Sequence, residues 1–492
     1  MNIRFPSFPV ALLVSFITAA CQSHTIALDS KVDVPTAFNQ TQAAQGSADI
    51  RHWWQSWHDP VLNNLIEQGL QKNFDIQTAR SRLNEARANA RLAGADKGPA
   101  AVLSADAAHS EGRIRNPLND TVRNNLRAFP QAAPFTADHF NLDGNSLSGG
   151  WSVSWEPDIF GRKSSDADAA RAAAMGAQEQ VYGAQLLVAG DIADNYFKAR
   201  AAEQQMRTAK HSIDTLAHLV RYVKGRFQAG HLTAYEVGEA ESRLSALQAK
   251  YSTLQAQRDA YIRNIAVLTG QTPQTFRLPD SAVDILATAP AAPSGQTPQG
   301  LLERRPDIRA RAAQVKAYAA KLASAQADLL PRFSIDFLGQ SSISVDSDSG
   351  LRGWGSLLKA GISVPIFTNG RIRANIAAAD ARLQTALLEY DQNILKALGE
   401  VDSSYQTYYA LNRQSALLAT AHQQAAKQAA DAEKLFKYGN QTLDKTLTAR
   451  LEEQQRQEDL IQSQLARAQI LVSLYKALGG GWTAEQTNTE KP

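Results

Sequence analysis

The residues able to do chemistry are spread thinly through this chain. Its nine histidines, His24, His52, His58, His109, His139, His211, His218, His231 and His422, form no His-Glu-x-x-His pair or comparable ligand spacing. No Gly-rich phosphate loop and no serine elbow occurs. His52 and His58 flank Trp53, Trp54 and Trp57, whose large rings are expected to pack rather than bind. Arg304, Arg305, Pro306 and Asp307 read as a helix start. Pro suits a first turn, and a carboxylate there favours the helix dipole. Two features remain. One is Cys21, the single cysteine, which excludes a disulfide within the chain. The other is a pair of Gly-centred turns. RFQAG holds Gly230, with Glu236 beyond it; LFKYG holds Gly439, followed by Leu443, Asp444, Lys445 and Thr448. No catalytic group, metal site or cofactor is expected, and the chain reads as a non-enzyme.

These turns belong to a duplication. Gly161 and Gly370 each precede a long Ala-rich stretch, 209 positions apart (370 − 161). The same shift carries Phe227 to Phe436, Gly230 to Gly439 and Gly270 to Gly479. Earlier segments repeat at a shift of 232: Asp75 to Asp307, Asp96 to Asp328, Pro99 to Pro331. The first half therefore holds 23 extra residues (232 − 209) between Pro99 and Gly161. None of the 18 prolines falls in 158–272 or 366–491. Since Pro interrupts helices, those blocks are free to be long helices. Their apolar residues recur at helical spacing: Leu186, Leu187, Ala189, Ile192, Ala193, Tyr196 and Phe197, then Ile394, Leu398, Val401, Tyr405 and Tyr408. A single helix over 162–229 would be about 100 Å long. Gly230 and Gly439 then sit where a left-handed C-cap suits a helix end, and a second helix returns to Gly270 or Gly479. Each half is a giant helical hairpin.

Elsewhere the period falls to two. Trp151, Val153 and Trp155 alternate with Ser152 and Ser154; Phe333, Ile335 and Phe337 with Ser334 and Asp336; Ile362 and Val364 with Gly361 and Ser363. Such alternation predicts strands over 100–113, 145–157, 331–344 and 354–367. Polar loops over 114–144 and 345–353 join them, and the first loop takes up the extra residues.

Length alone would allow about three domains, but the duplication argues for two interlocked copies of one unit. A net charge of +3 with 20% charged residues implies no nucleic-acid surface. Arg4 and the run FPVALLVSFITAA, ending at Cys21, read as a signal peptide over 1–20. Cys after Ala19 and Ala20 resembles a bacterial lipoprotein processing site, so Cys21 is expected to be lipidated. No later apolar run approaches 18 residues, so any membrane crossing falls to strands. The expected organisation is a lipid-anchored segment over 21–59, repeats over 60–272 and 306–482, a linker over 273–305 and a tail over 483–492.

Four strands cannot close a barrel, and an open edge cannot face lipid. The smallest membrane barrels need about eight strands, so spanning strands require protomers to share one barrel. The long helices must then stand on one side and pack into a tube. The residues also resemble a family. WWQSWHDPVLNNLIEQGLQKNFDI, WEPDIFGRKSSDADAARA, RFQAGHLTAYEVGEAESRL, LLERRPDIRARAAQVKAY, LPRFSIDFLGQ and LYKALGGGW resemble, in order, motifs of the TolC-like outer membrane efflux proteins, in their NodT-type lipoprotein branch. The resemblance runs from about Trp53 to Trp482. It implies a mainly α protein with a membrane β-barrel: a homotrimer with a 12-stranded barrel on a 12-helix periplasmic tunnel, lipid-anchored in the outer membrane. It implies passive conduction of drugs, metals or other small solutes, with a resistance-nodulation-division inner-membrane pump and a periplasmic membrane-fusion adaptor as partners. It also implies that the tips at Gly230 and Gly439 converge at a closed end and touch the adaptor. Gate carboxylates in the family lie six to nine residues beyond the second tip. Here those two positions hold Lys445 and Thr448 (439 + 6, 439 + 9), with Asp444 the nearest carboxylate. Leu443, Asp444, Lys445 and Thr448 are the gate candidates, and Glu236 holds the matching position in the first half. A duct for protein secretion shares this scaffold. A periplasmic coiled-coil structural or adaptor protein accounts for the helices but not the strands.

Overall fold

The computed structural model describes residues 30–39, 44–141, 144–344 and 352–482. Cys21, the signal region and the tail beyond Trp482 lie outside the described residues. After a 3-10 turn (Trp53–Trp57) the order is α1 (Pro60–Lys72), α2 (Phe74–Ala95), β1 (Ala100–Ser110), β2 (Arg113–Arg115), α3 (Asp120–Leu126), β3 (His139–Asn141) and β4 (Gly144–Trp155). Then come α4 (Arg162–Gln228), α5 (Ala234–Leu268), α6 (Pro298–Arg304), α7 (Pro306–Ala327), β5 (Arg332–Ser344), β6 (Arg352–Ser363), α8 (Arg371–Lys437) and α9 (Leu443–Ala477). The duplication reaches element length. α4 and α8 have 67 residues each, α5 and α9 have 35, and α2 and α7 have 22. At 1.5 Å per residue the longest are about 100 Å. Among the described residues no helix is long and apolar enough to cross a membrane.

Two compact units cut across the repeats. The strand unit contains Ala88–Ala170 and Tyr318–Ala381, and the helical unit takes the rest of the described chain. In the strand unit β1, β4, β5 and β6 form one antiparallel sheet in that order. The two halves meet at the β4–β5 ladder, and β1 and β6 are open edges. The strands end sooner than their alternation predicts. β4 stops at Trp155, before Pro157, and β6 at Ser363, before Pro365, because proline has no N–H for the ladder. β1 stops at Ser110, before Gly112.

The 114–144 connection is not a plain loop. Its β2–β3 ribbon, α3 and a 3-10 turn (Pro130–Thr136) are organised around Asn116, which is buried. The Asn116 amide donates to the carbonyls of Phe135 at 2.8 Å and Ala137 at 2.7 Å, and its oxygen accepts from Leu118 N at 3.0 Å. Asn119 caps α3, and Arg123 pairs with Asp120 and Asp138.

The helical unit is built round an aromatic core. Trp53, Trp54 and Trp57 are fully buried. Trp53 stacks on Tyr475 at 5.2 Å, Trp54 on Trp482 at 5.7 Å, and Trp57 lies 5.3 Å from Phe197. The cluster therefore packs, as expected. Of the α4 stripe, Ala189, Ile192, Ala193, Tyr196 and Phe197 have no exposed surface, whereas Leu187 is half exposed. Tyr196 and Tyr405, equivalent at the 209 shift (196 + 209), are both buried and hydrogen-bonded. Tyr196 donates to the buried Asp59 carboxylate at 2.7 Å, Tyr405 to the Pro293 carbonyl at 2.6 Å.

Each return helix ends on a side chain from the other shift. Asn73 donates to the Leu268 carbonyl at 2.9 Å, and Arg305 to the Ala477 carbonyl at 3.1 Å. Both relations hold in the sequence (73 + 232 = 305, 268 + 209 = 477). The Arg304–Asp307 segment starts α7, as its sequence predicts. Pro306 opens the helix, Asp307 lies in its first turn, and Arg305 bonds Asp307 at 2.8 Å and Glu400 at 2.5 Å. Burial alone would lower the Arg305 pKa, but its two carboxylate partners raise it.

Candidate functional site: a two-faced sheet and two helical tips

The register gives the sheet two chemically distinct faces. Partners in a ladder share a face, and neighbours along a strand alternate. Leu103 pairs with Trp151, Leu147 with Ile343, Trp155 with Ile335, Val153 with Phe337, Phe337 with Leu358 and Phe333 with Ile362. This face is apolar. Leu103, Trp151, Trp155, Trp354, Leu358 and Ile362 on it are all exposed. Trp155 and Phe333 stand at the helix-proximal end and Trp354 at the other, where aromatic rings suit the two rims of an apolar belt. The opposite face carries Ser104 and Asp106 of β1, Ser146, Ser148, Ser152 and Ser154 of β4, Ser334, Asp336, Gln340 and Ser342 of β5, and Lys359 of β6, with one apolar row, Val102, Leu338 and Leu357, crossing it. Small hydroxyls and opposed charges make it a water-compatible wall. Burying so many exposed apolar side chains needs a partner phase, and the other face needs water.

At the helix-proximal end of the polar face lies a cleft of about 520 Å³, lined by Asp96, Ser154, Glu156, Arg162, Lys163, Asp166, Ser334 and Asp336 among others. Most of its charges are satisfied locally. Arg162 meets Glu156 at 3.1 Å, Lys163 donates to the Asp96 carbonyl at 2.8 Å, and Lys321 meets Asp166 at 2.7 Å.

In the helical unit, α4 and α8 end in the same way. Gly230 and Gly439 have φ of 76° and 79°, the left-handed conformation that Gly adopts without a Cβ penalty. His231 N donates to the Arg226 carbonyl and Gly230 N to Phe227 at 2.9 Å each; Asn440 N and Gly439 N repeat this on Leu435 and Phe436 at 2.9 Å each. These are Schellman motifs.

The return helices start differently. Thr233 and Glu236 form a complete capping box on α5. The hydrogen bond from Thr233 and nearby backbone N–H groups hold the Glu236 carboxyl below its usual range. The matching residue on α9 is Lys445 (236 + 209), which has no acceptor atom. The Thr442 N–H therefore has no return bond from position 445, and Thr442 itself makes no side-chain cap. In that first turn Asp444 favours the helix dipole and Lys445 opposes it, whereas α5 has Glu236 alone; lacking the box and the net negative charge, α9 has the weaker start.

The gate candidates do not form one cluster within the chain. Leu443 is half buried and opens α9, while Asp444, Lys445 and Thr448 are exposed. Thr448 donates back to the Asp444 carbonyl at 2.9 Å. No ion pair joins Asp444 or Lys445 to another described residue; adjacent residues on a helix do not face each other.

The ion pairs lie further along the hairpins. Lys224 meets Glu241 at 2.6 Å across the first, and Glu433 meets Arg450 at 2.8 Å across the second. The positions are equivalent (224 + 209 = 433, 241 + 209 = 450), with the charges exchanged. Arg450 also meets Glu453 at 2.6 Å, and these two carboxylates raise its pKa, Glu453 foremost. Sequence reasoning missed this clamp. Its signal was present in the aligned halves, as opposite charges at matching positions. The hairpins are joined by Leu447 and Leu451 packing on Leu216, Leu219 and Val223, and by Lys250 meeting Glu458 at 2.5 Å.

A long duplicated helical hairpin joined to a two-faced sheet with open edges defines the channel-tunnel class. Residues 65–271 and 297–480 match the family described as outer membrane efflux protein, and the chain belongs to that family. It is an outer membrane efflux channel. It is 29% identical over 471 residues to the pyoverdine export outer membrane protein OpmQ of Pseudomonas aeruginosa, covering 96% of each chain. To the toluene efflux pump outer membrane protein TtgC of Pseudomonas putida it is 26% identical, covering 92% of this chain and 89% of that one. The solved structure of the outer-membrane channel OprN superposes with a TM-score of 0.77 at 25% identity, over 93% of this chain and 100% of that one. The CmeC channel of Campylobacter jejuni shares the fold, with a TM-score of 0.78 at 18% identity over 99% of this chain and 97% of that one.

Proposed function

We propose that this chain is the homotrimeric, lipid-anchored outer membrane duct of a tripartite efflux system. It conducts small solutes passively and performs no catalysis. The observation that carries this reading is the four-stranded sheet with one apolar face, one polar face and two open edges. Three copies joined edge to edge make 12 strands, above the minimum of about eight for a membrane barrel. The apolar faces then meet lipid and the serine-rich faces line water. Relatives named for pyoverdine export and toluene efflux support small organic solutes as cargo. An inner-membrane pump of the resistance-nodulation-division class supplies energy and selection, and a periplasmic membrane-fusion adaptor engages the tips at Gly230 and Gly439. Residues 1–20 act as signal peptide, and Cys21 is acylated and anchors the mature chain to outer membrane lipids.

Labelling of engineered cysteines tests the duct. Ser152→Cys reacts with a membrane-impermeant thiol reagent in proteoliposomes, and Leu358→Cys does not. Equal labelling of both, or a conducting particle with the mass of one protomer, overturns the reading. Mass spectrometry of the mature N-terminus tests the anchor; an unmodified terminus beginning beyond residue 21 overturns it.

The gate is placed at the second tip, around Leu443, Asp444, Lys445 and Thr448. Support comes from the weaker start of α9, where Lys445 replaces the capping glutamate. Three copies around one axis bring Asp444 and Lys445 of neighbouring chains together. Exposed pairs of this kind are worth only about 0–1 kcal/mol each, which suits a contact that an adaptor must break. Asp444→Ala or Lys445→Ala raises single-channel conductance; unchanged conductance in both moves the gate elsewhere.

A further inference from the structure

We propose that Asp106 and Lys359 set the ion preference of the conduit from opposite sides, Asp106 as an uncompensated acidic level and Lys359 as the neutraliser of Asp336. The inference rests on the reading that the polar face lines the lumen. On that face the described strand residues carry four charges: Asp106, Arg332, Asp336 and Lys359. Arg332 is taken up by Asp328 at 2.6 Å. Asp336 and Lys359 are direct partners in the β5–β6 ladder. Antiparallel partners have Cα atoms about 4.5–5.5 Å apart, well inside the Debye length of about 10 Å at 0.1 M salt. A passing ion therefore meets their charges as a near-neutral dipole.

Asp106 has no such neighbour. Its ladder row runs through Ser148 and Ser342 to Gly353. Ser342 and Asp336 are six residues apart on β5, which is about 20 Å along a strand. That distance is about two Debye lengths, so the Lys359 of the same sheet does not compensate Asp106. Each sheet thus brings to a three-chain barrel one level with a carboxylate that has no opposing charge in its own row and another whose charges cancel. The wall is mildly cation-preferring as a result. The preference depends on Asp106, and on Lys359 restraining Asp336.

Reversal potentials of the full-length protein in planar bilayers under a KCl gradient test this. Asp106→Asn lowers the potassium-to-chloride permeability ratio by about two-fold, and Lys359→Gln raises it by about two-fold, as removal of fixed charges lining a low-dielectric cleft should. Asp336→Asn, which leaves Lys359 unopposed, shifts the ratio towards chloride. Ser152→Lys on the same face is the control. A shift towards chloride in Ser152→Lys with no shift in Asp106→Asn or Lys359→Gln overturns the assignment of these residues. No shift in any variant, Ser152→Lys included, overturns the lumen reading itself.

Discussion

Arg450→Ala should loosen the second tip, and the size of the effect follows from its contacts. Arg450 holds Glu433 of α8 at 2.8 Å and Glu453 of its own helix at 2.6 Å. Only the first contact ties the two arms of the hairpin together. The Arg450 side chain is 33% exposed and that of Glu433 46% exposed, so solvent screens the pair. A partly exposed pair of this kind is worth about 0.5–1 kcal/mol. Three copies opening in concert would contribute about 1.5–3 kcal/mol, or roughly a 10- to 150-fold shift from closed towards open. Single-channel recording reads this as open probability. Raising salt from 0.1 M to 1 M shortens the Debye length from about 10 Å to about 3 Å, so the wild type should move towards the variant. The first hairpin suggests the rescue. Its clamp, Lys224 with Glu241, has the opposite polarity at the same positions. Combining Glu433→Arg with Arg450→Glu should therefore restore closure. If Arg450→Ala gates like wild type at both salts, or the exchanged pair stays as open as the single variant, the clamp does not hold the tip.

Three further outcomes follow from the helical unit. Gly270→Ala and Gly479→Ala should lower thermal stability, followed by circular dichroism, more than Gly230→Ala and Gly439→Ala do. All four have positive φ, at about 1–2 kcal/mol of strain for an L-residue. Only at Gly270 and Gly479 would the new Cβ also meet backbone, Lys72 O at 2.9 Å and Arg305 Cα at 3.0 Å; equal effects at all four would contradict this. Tyr196→Phe should cost about 1.5–3 kcal/mol because it removes a bond to a buried carboxylate, and Tyr405→Phe about 1–2 kcal/mol because it orphans a carbonyl; denaturation midpoints compare them, and the reverse order would refute the assignment. The capping box on α5 should be pH-dependent. The folded Glu236 pKa is depressed, so its contribution is present above the ordinary value of 4.5 and is lost as pH falls through the lowered value. Amide hydrogen exchange at the start of α5, corrected for intrinsic rate, should rise on acidification in the wild type but not in Glu236→Gln; the same rise in both would sink the idea.

The sequence by itself determined the repeating elements, because each is a local matter. Gly at 230 and 439 stops a helix through backbone sterics, proline-free Ala-rich blocks leave a helix uninterrupted, and alternation of Trp151, Val153 and Trp155 with serines marks a strand. The 209 and 232 shifts predicted the equal element lengths. Pro157 and Pro365, also visible in the sequence, set the strand ends that alternation alone overshot. The compact subdomain around Asn116 was not legible, since its bonds to the Phe135 and Ala137 carbonyls join residues brought together only on folding. Tertiary structure alone decided which strands pair. The β4–β5 ladder joins the two halves, the β5–β6 register puts Asp336 opposite Lys359, and the β1–β4 register leaves Asp106 in a row of small residues. It also decided which charges near the tips meet. Glu433 and Arg450 lie 17 positions apart on two different helices; the charge exchange with Lys224 and Glu241 marks them in the aligned halves, but nothing local to either residue distinguishes them from the exposed Asp444 and Lys445. Pairing of that kind depends on how two helices cross, and crossing follows from side-chain packing between them rather than from any local preference.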